Sequence, residues 1–556
     1  MVRRISAVSY RALFALVAVV AVLGGIAAQG AAQVGLTSTP TVTMSPEAPL
    51  AGVLNFSTDL PASVSLSVRG GGEAWMVSSN GLTTQHAIPL LGLTPNSQYT
   101  VDHLTLTTAG GAATTVGNSL NVATAPLPAN FPLLDLKTSM PQQMEPGLVL
   151  IPSRNQNRSA EYTFALDPQG QVRWYTPADY GDIRQLPNGN LLSRGRNPTT
   201  IREFDVQGSV VRSWHSSADT VPNSVPVAMT NPHHDVFPMA NGNFLTLDRR
   251  IQSVDNFPSS ETDPNAPRIT ADVNYDPIVE FTPQGNVVGE WSLLDILDPT
   301  RIGYGTIGGR IPNDWSHSNA VVHDPSDDSI IVSVRHQDAV IKFSRATGDL
   351  KWILGPHDKW GPAFQQFLLT PKGQPFEWPY HTHSPMVLPN GNVMVYDNGN
   401  FRATPFDPPL AAEDSHTRAV EFEIDESTME ITQVWEYGSN TGEVFFTPTQ
   451  GDADGLPTTD NVQITFSRVT HIDGVALANS VSRIIEVDRL GTRLFDLEIS
   501  YPTLGAISYR SERISTLYPQ GFAVTAVPLP AAAWMGLALL GGAGLLRAWR
   551  GRSRIG

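Results

Sequence analysis

Three histidines recur at one position of a repeated pattern, and imidazoles act in proteins as nucleophiles, acids and bases, or metal ligands. His234, His317 and His383 each stand seven residues before an Asn or Asp that opens a tight turn, in HHDVFPMANGN, HSNAVVHDPSDD and HSPMVLPNGN. An apolar run lies between each histidine and its turn. If each copy is the same strand of a unit repeated around a closed ring, the three imidazoles converge on one axis.

Polar neighbours accompany two of these histidines. His381 is two residues from His383, and Asn319 is two residues from His317. Because side chains alternate along a strand, the members of each pair are expected on one face. His233 has the opposite phase and is interpreted as structural.

Arg335 ends an apolar strand in SVRHQ. An arginine at a strand end beside three histidines suits an anion. The alternative interpretation is a surface arginine paired with an acid, which contributes little by itself.

A second repeat predicts the elements that position these residues. A turn followed by a strand that ends in an aromatic residue occurs six times, and each unit can be written as four short strands with period-two apolar patterning. The aromatic residues are Trp174, Trp214, Trp291, Trp352, Trp435 and Phe495. We predict an all-β protein with a six-bladed β-propeller over residues 145–520, in which the first strand of each blade lines a central channel. The first blade lacks an inner strand, and residues 508–519 are the candidate to supply it.

The remaining segments have their own compositions. Residues 34–125 alternate Thr, Ser, Val and Leu, and LGLTPNSQYTV is similar to the strand–turn–Tyr segment of a fibronectin type III sandwich, so a small β-sandwich is predicted there. The Pro-rich stretch in 126–144 is interpreted as a linker. Residues 1–32 carry arginines and then the apolar run LFALVAVVAVLGGIAA, which is typical of a secretory signal peptide.

The C-terminal segment 525–556 contains VPLPAAAWMGLALLGGAGLL followed by four arginines, a transmembrane candidate. It resembles the PEP-CTERM type of bacterial sorting signal. That resemblance implies a protein exported to the periplasm or cell surface of a Gram-negative bacterium and held by the membrane through this segment before processing. Whether the segment is cleaved is open.

Net charge limits the classes of molecule that the protein can bind. The chain has 36 basic and 52 acidic residues, a formal charge of −16. Both end segments together hold 7 of the basic residues and no acidic ones, which leaves 29 basic and 52 acidic residues, or −23, for the rest. A protein this acidic is a poor candidate for nucleic acid or anionic membrane surfaces. It contains no cysteine, so disulfides and thiolate ligands are excluded.

Residues 314–355, DWSHSNAVVHDPSDDSIIVSVRHQDAVIKFSRATGDLKWILG, resemble the core segment of bacterial arylsulfotransferases. The segments HHDVFPMANGNFLTLD and HSPMVLPNGNVMVYDNGN fit the same family. So does the layout of signal peptide, small β-domain and propeller. The resemblance covers most of residues 45–520. One departure is that some members have a disulfide near the active site, and this chain cannot form one.

The resemblance implies sulfuryl transfer from an aryl sulfate ester to a phenol, in a ping-pong cycle through a sulfated histidine, without a nucleotide donor, cofactor or metal. The nucleophile corresponds to His383, and the supporting groups correspond to His317, Asn319 and Arg335, expected to donate hydrogen bonds to the sulfuryl oxygens. The further channel histidine corresponds to His234. Either His234 or His317 is expected to serve as general acid and base.

Substrate contacts are predicted at His381, Trp378 and Tyr380. The last two belong to an aromatic group in an insertion before His381, which either stacks on an aryl substrate or packs the insertion as a small core. The other members of the group are Trp360, Phe364, Phe367 and Phe376.

Two alternatives from other classes stay open. Three histidines around an axis also suit a metal-dependent hydrolase or lyase, and many propellers only bind. The sequence does not give the natural donor and acceptor, or the oligomeric state.

Overall fold

The computed structural model describes residues 32–194, 199–308 and 312–527, and strands dominate it. The predicted signal peptide and sorting segment lie outside this part of the chain, apart from Ala32 and residues 525–527. Within the described ranges, no helix has the length and apolar character to cross a membrane.

The strands of the N-terminal region and of the first half of the repeats follow in chain order. They are β1 (Thr41–Met44), β2 (Gly52–Gly70), β3 (Glu73–Leu90), β4 (Gln98–Thr108), β5 (Ala113–Val116), β6 (Leu120–Ala123), β7 (Leu133–Ser139), β8 (Leu148–Asn155), β9 (Glu161–Leu166) and β10 (Val172–Thr176). Next come β11 (Arg184–Gln185), β12 (Leu191–Arg194), β13 (Thr200–Phe204), β14 (Val210–Ser216), β15 (Val225–Val227), β16 (His233–Pro238), β17 (Phe244–Leu247), β18 (Arg250–Phe257), β19 (Ile269–Tyr275), β20 (Ile278–Phe281) and β21 (Val287–Trp291).

The second half contains one short helix, α1 (Leu293–Ile296), and three 3₁₀ segments, Arg335–Gln337, Pro362–Phe367 and Ala412–Asp414. Its strands are β22 (Asn313–Asp314), β23 (Ser318–Asp324), β24 (Ser329–Val334), β25 (Ala339–Ser344), β26 (Leu350–Leu354), β27 (Thr370–Pro371), β28 (His383–Val387), β29 (Val393–Asp397) and β30 (Arg418–Asp425). They continue with β31 (Glu430–Tyr437), β32 (Phe445–Phe446), β33 (Asp452–Gly455), β34 (Val462–Ile472), β35 (Val475–Val487), β36 (Arg493–Ser500), β37 (Ala506–Ile507), β38 (Glu512–Ile514) and β39 (Phe522–Ala526).

Successive antiparallel sheets carry the repeats, in the strand order of propeller blades. The sheets contain β8–β9–β10, β11–β12–β13–β14, β16–β17–β20–β21, β23–β24–β25–β26, β28–β29–β30–β31 and β33–β34–β35–β36–β7. Neighbouring strands are sequential along the chain, as in a blade, except that β18 and β19 form a separate sheet between β17 and β20 and that β7 joins β36. The predicted all-β, propeller class is confirmed, whereas the number of blades stays a prediction.

Late segments complete the first and last sheets. β37 and β38 pair antiparallel with β8, so residues 506–514 supply the inner strand that the first sheet lacks. β7 pairs with β36 in the last sheet. The segment 126–144 is therefore more than the linker that its prolines indicate, because residues 133–139 are an outer strand of the ring.

Four of the six repeated aromatic residues, all tryptophans, link one sheet to the next. Their indole Nε1–H groups donate across the sheet boundary to the turn between the third and fourth strands of the following sheet, counted from the channel. The bonds are Trp174 to Val206 O at 2.7 Å, Trp214 to Pro283 O at 3.0 Å, Trp352 to Glu426 Oε1 at 3.0 Å and Trp435 to Arg489 O at 3.1 Å. A buried indole N–H needs such a partner, so the repeat reflects the contact that joins neighbouring sheets.

The N-terminal region packs directly on the ring. β2 and β3 are long, and β2 pairs with β1, β3 and β4, so these strands form one hydrogen-bonded sheet to which β39 is added at the edge of β3. Its buried residues share a core with the first two ring sheets, including Trp174 and Tyr518. The likeness to a fibronectin type III sandwich stays a prediction.

Candidate active site

One end of the central channel holds a cavity of about 410 Å³. The three repeat histidines and an arginine lie on its wall, with groups from the long connections and from the closing segment. The polar side chains on the wall include His234, Asp314, His317, Arg335, His336, His383, Gln450 and Tyr509. The rings of His234 and His317 are 5.3 Å apart, and Tyr509 lies 6.3 Å from His234 and 6.5 Å from His383.

The inner strands of three consecutive sheets are irregular where they carry these histidines. β16, β23 and β28 each shift register within their first residues, and the shifts fall between His233 and Val236, Ser318 and Ala320, and His383 and Met386. His234 and His317 have left-handed φ values of 58° and 43°. Bulges and left-handed residues re-aim side chains at functional sites, and here they turn the imidazoles toward the cavity.

Asn398 fixes the tautomer of His383. The Asn398 Nδ2 group donates to the carbonyls of Thr447 and Gln450, each at 2.8 Å, so its Oδ1 faces His383. That oxygen lies 2.6 Å from His383 Nδ1 and can only accept, so Nδ1 carries the proton. The Gln450 N–H reaches Nε2 at 3.2 Å. Nε2 is therefore the acceptor nitrogen at the cavity wall, and in this structure its lone pair receives the Gln450 N–H.

The same surroundings keep His383 neutral. Burial lowers its pKa well below the ordinary value, and the nearby positive charge of Arg335 lowers it further. The hydrogen bond to Asn398 acts in the opposite direction and is outweighed. A neutral, oriented imidazole is a competent nucleophile near pH 7.

Arg335 is held at the cavity by two contacts. Its Nη1 donates to His336 Nε2 at 2.7 Å, and Nη2 donates to Pro448 O at 3.2 Å. His336 accepts because its Nδ1 donates to Asp314 O at 2.6 Å. The Arg335 Nε atom has no hydrogen-bond partner in the described chain. Burial lowers the pKa of Arg335 to about 10, so the guanidinium stays cationic at neutral pH.

His317 forms a dyad with Asp314. The Asp314 Oδ2 atom lies 2.6 Å from His317 Nδ1, which donates to it. Burial first, and then Arg335, lowers the pKa of His317 well below its ordinary value. In the neutral ring the lone pair is then on Nε2, so His317 can take a proton and has no hydrogen to donate to an oxyanion. This corrects the expectation that His317 donates to sulfuryl oxygens.

His234 ends a second chain of polar groups. Its Nδ1 lies 2.6 Å from Nδ1 of His233, whose Nε2 lies 3.0 Å from Asp276 Oδ1. One proton is shared between the two Nδ1 atoms, and Asp276 orients the pair. His233 is thus structural, as its phase predicts, but it acts directly on His234. Burial lowers the pKa of His234 well below its ordinary value.

One group could hold a metal ion in principle. Suitable ligand atoms of Asp314, His317 and His336 lie within 4.8 Å of one another. However, His336 Nε2 is 2.7 Å from the Arg335 guanidinium, and His317 Nδ1 is bonded to Asp314. A divalent cation there would face a fixed positive charge, so the donor set does not fit a metal centre and fits an anion.

Comparison with known proteins decides the family. The Arylsulfotransferase (ASST) family model matches residues 134–510, more than half of the chain. The chain belongs to the arylsulfotransferase family. It is 27% identical over 352 residues to arylsulfate sulfotransferase AssT of Escherichia coli O6:H1, covering 52% of this chain and 54% of that protein. AssT of Lelliottia amnigena is 25% identical over 351 residues, with the same coverage.

The chain spans about half the length of the curated relatives it matches. Among solved structures, a protein of unknown function from Bacteroides caccae is 10% identical and covers 66% of this chain and 98% of its own, with a TM-score of 0.37. The β-propeller domain of Cps50 (Swd1) from Myceliophteria thermophila is 8% identical and covers 68% and 98%, with a TM-score of 0.32.

Two polar residues predicted for the site lie elsewhere. Asn319 donates through Nδ2 to Thr382 O at 2.8 Å and is fully buried off the cavity wall. His381 is bonded at both ring nitrogens, to Asp338 Oδ1 at 2.9 Å and Tyr304 O at 3.0 Å. His381 and His383, and likewise His317 and Asn319, were expected to share a face because side chains alternate along an extended strand. His381 and His317 instead have left-handed φ values of 53° and 43°, which break that alternation.

The predicted aromatic contacts also lie off the cavity wall. Trp378 packs on Phe376, with ring centroids 4.8 Å apart, and on His357 at 5.2 Å. Tyr380 is half-buried, and its N–H donates to Asp397 Oδ1 at 2.8 Å. Of the two interpretations of the aromatic insertion, packing accounts for these contacts.

Sequence reasoning missed Asn398, His336, Asp314 and Gln450. Asp314 lies three residues before His317, and His336 directly follows Arg335, both within residues 314–355. Neither belongs to the repeated histidine pattern, so that pattern does not identify them. Asn398 lies at the end of β29, beside the start of β28, and only strand pairing brings it to His383.

Proposed function

We propose that this arylsulfotransferase moves a sulfuryl group from an aryl sulfate ester to a phenol through a sulfated His383. The observation that carries the proposal is the Nε2 lone pair of His383. Asn398 holds it toward a cavity that also contains a cationic Arg335. The family and the two AssT relatives support the reaction class.

In the first half-reaction, the His383 Nε2 lone pair attacks the sulfur of the aryl sulfate. An N–S bond forms, the S–O bond to the aryl group breaks, and the phenolate leaves with that electron pair. Arg335 faces the sulfuryl oxygens, where charge is concentrated in such transfers. The Gln450 N–H, which donates to Nε2 in the resting site, leaves that lone pair for the attack and is then free to donate to a sulfuryl oxygen.

In the second half-reaction, a phenol takes the place of the departed product. His317 Nε2 accepts its proton, the phenol oxygen attacks sulfur, and the N–S electron pair returns to His383. His317 is favoured over His234 as the base because Asp314 holds its Nδ1–H directly and stabilises the imidazolium that forms. This is the relation of acid and histidine in hydrolase triads.

Export is part of the same proposal. The patterns of residues 1–32 and 525–556 support passage to the periplasm or cell surface, with membrane attachment through the C-terminal segment before processing.

The turnover test uses 4-nitrophenyl sulfate as donor and excess phenol as acceptor, without a nucleotide. We expect nitrophenol release that depends on phenol, and its loss in His383→Ala. His323→Ala is the matched control, because His323 bonds only to the exposed Asp328 at 2.9 Å. Activity that survives in His383→Ala refutes the proposed nucleophile, and no release across a panel of aryl sulfates refutes the reaction class.

A further inference from the structure

Two additional arginines, Arg154 and Arg468, line the same cavity. Arg154 is on β8 of the first sheet, where it pairs with Ile507 of β37. Arg468 is on β34 of the last sheet, next to Ser467, whose carbonyl accepts the N–H of Ser508 at 3.3 Å. The closing segment 506–509 therefore runs between the two arginines, and its Ile507 and Tyr509 also face the cavity.

The two arginines differ in their ionic partners. Arg154 Nε lies 3.1 Å from Asp179 Oδ2, which Arg158 Nη2 also approaches at 3.6 Å, while Arg158 is paired with Glu161 at 2.6 Å. In the described ranges, Arg468 has no carboxylate within ion-pair distance, and its buried Nε has no hydrogen-bond partner. Burial lowers the pKa of Arg154, and the like charges of Arg158 and Arg468 act in the same direction, against Asp179 and Glu161.

One sulfuryl group does not account for this charge. A sulfate ester carries a single negative charge, and Arg335, beside His383, already supplies one guanidinium for it. Arg154 and Arg468 enter from other sheets, on either side of the segment that carries Ile507. A guanidinium without a carboxylate partner, next to a second guanidinium, is stabilised by an anion with two oxygens, which such groups bind in a bidentate manner.

We propose that Arg154 and Arg468 form a second anion subsite, which selects phenolic substrates that carry a carboxylate on the side chain remote from the reacting oxygen. The aromatic ring of such a substrate lies against Ile507 and Tyr509, between the subsite and His383. Sulfation of such a substrate rests on the proposed function, whereas binding of its carboxylate by Arg154 and Arg468 does not. It also explains how an acidic protein attracts a doubly functional, anionic substrate into a narrow cavity.

A matched pair of acceptors tests the subsite. 3-(4-Hydroxyphenyl)propanoate and its methyl ester have nearly the same phenol, because two methylene groups separate it from the charge. With 4-nitrophenyl sulfate as donor, we expect kcat/KM to be about 10- to 100-fold higher for the carboxylate, the range of one or two charge-assisted hydrogen bonds. The preference should shrink as ionic strength rises.

Three variants assign the preference to the arginines. Arg468→Gln and Arg154→Gln should each remove most of the preference through KM for the carboxylate and leave kcat/KM for the ester unchanged. Arg468→Lys should retain part of it. Arg212→Gln, at an exposed position on β14, is the control and should change neither. Arg468→Gln should fold normally, because the arginine has no ion pair to lose.

Direct binding separates this inference from the reaction. Calorimetric titration with 3-phenylpropanoate, which cannot accept a sulfuryl group, should show binding that Arg468→Gln weakens about tenfold. If neither acceptor is sulfated but 3-phenylpropanoate binds through Arg468, the proposed function fails and the subsite stands. If both acceptors react equally in wild type and in Arg468→Gln, the subsite is refuted and the function stands. An equal loss with both acceptors places Arg468 at the sulfuryl group and also overturns the inference.

Discussion

Replacing Asn398 with alanine should slow the sulfation of His383 without removing any group that touches the substrate. The Asn398 side chain accepts the His383 Nδ1–H at 2.6 Å and is itself locked by two bonds to backbone carbonyls. Its loss frees the imidazole to take the other tautomer, with hydrogen on the attacking nitrogen. A buried hydrogen bond of this kind is worth about 1–3 kcal/mol, which corresponds to a rate about 5- to 150-fold slower.

The assay is the pre-steady-state burst of nitrophenol from 4-nitrophenyl sulfate without acceptor, which reports only the first half-reaction. Asn461→Ala is the control, because buried Asn461 also donates two bonds through Nδ2, to Gln143 O at 2.9 Å and Glu486 Oε1 at 2.8 Å, away from the cavity. If the burst rate in Asn398→Ala equals that in Asn461→Ala, the tautomer argument is wrong.

Three further predictions concern pH, the second half-reaction and the ring. The nucleophile must be neutral, and burial and Arg335 hold the pKa of His383 well below its ordinary value. Activity should therefore persist as pH falls through about 6.5 and be lost only at lower pH. Because Arg335→Gln removes a charge that lowers this pKa, the loss of activity should move to higher pH in a pH profile of the burst rate. Asp314→Asn should slow transfer to phenol about 100-fold through His317 while the burst persists, and an unchanged second step in acceptor-chase kinetics excludes the dyad. Trp174→Ala should lower the free energy of unfolding by about 3–5 kcal/mol in a urea titration, because this fully buried indole joins the first two ring sheets and the N-terminal sheet. A loss below about 1 kcal/mol contradicts that role.

The sequence predicts the ring well because its signals are local. Turns, period-two strands and a terminal aromatic residue recur in each unit, and the contact that four of the tryptophans make with the following sheet accounts for the pattern in those units. Closure of the first sheet by a late segment is also predictable, since a missing strand leaves an edge to be filled; of the predicted segment 508–519, residues 512–514 pair with β8, and residues 506–507, just before it, do so as well. The role of residues 133–139 in the last sheet was hidden, because a short strand inside a Pro-rich stretch has the composition of a linker.

At the site, the sequence identifies the three repeat histidines and Arg335, which line one cavity. It fails for Asn319 and His381, because bulges and left-handed residues break the alternation on which the same-face argument depends. It also misses Asn398, whose contact with His383 arises from pairing between strands rather than from any motif.

The central claim is that His383 itself carries the sulfuryl group. The most direct measurement is to mix the protein with 4-nitrophenyl sulfate alone, quench at alkaline pH, digest, and locate the added SO₃ by mass spectrometry. We predict one SO₃ per chain on the peptide that contains His383, its loss after phenol is added, and its absence in His383→Ala. An SO₃ on another residue, or turnover with no sulfated enzyme during the burst, contradicts the account.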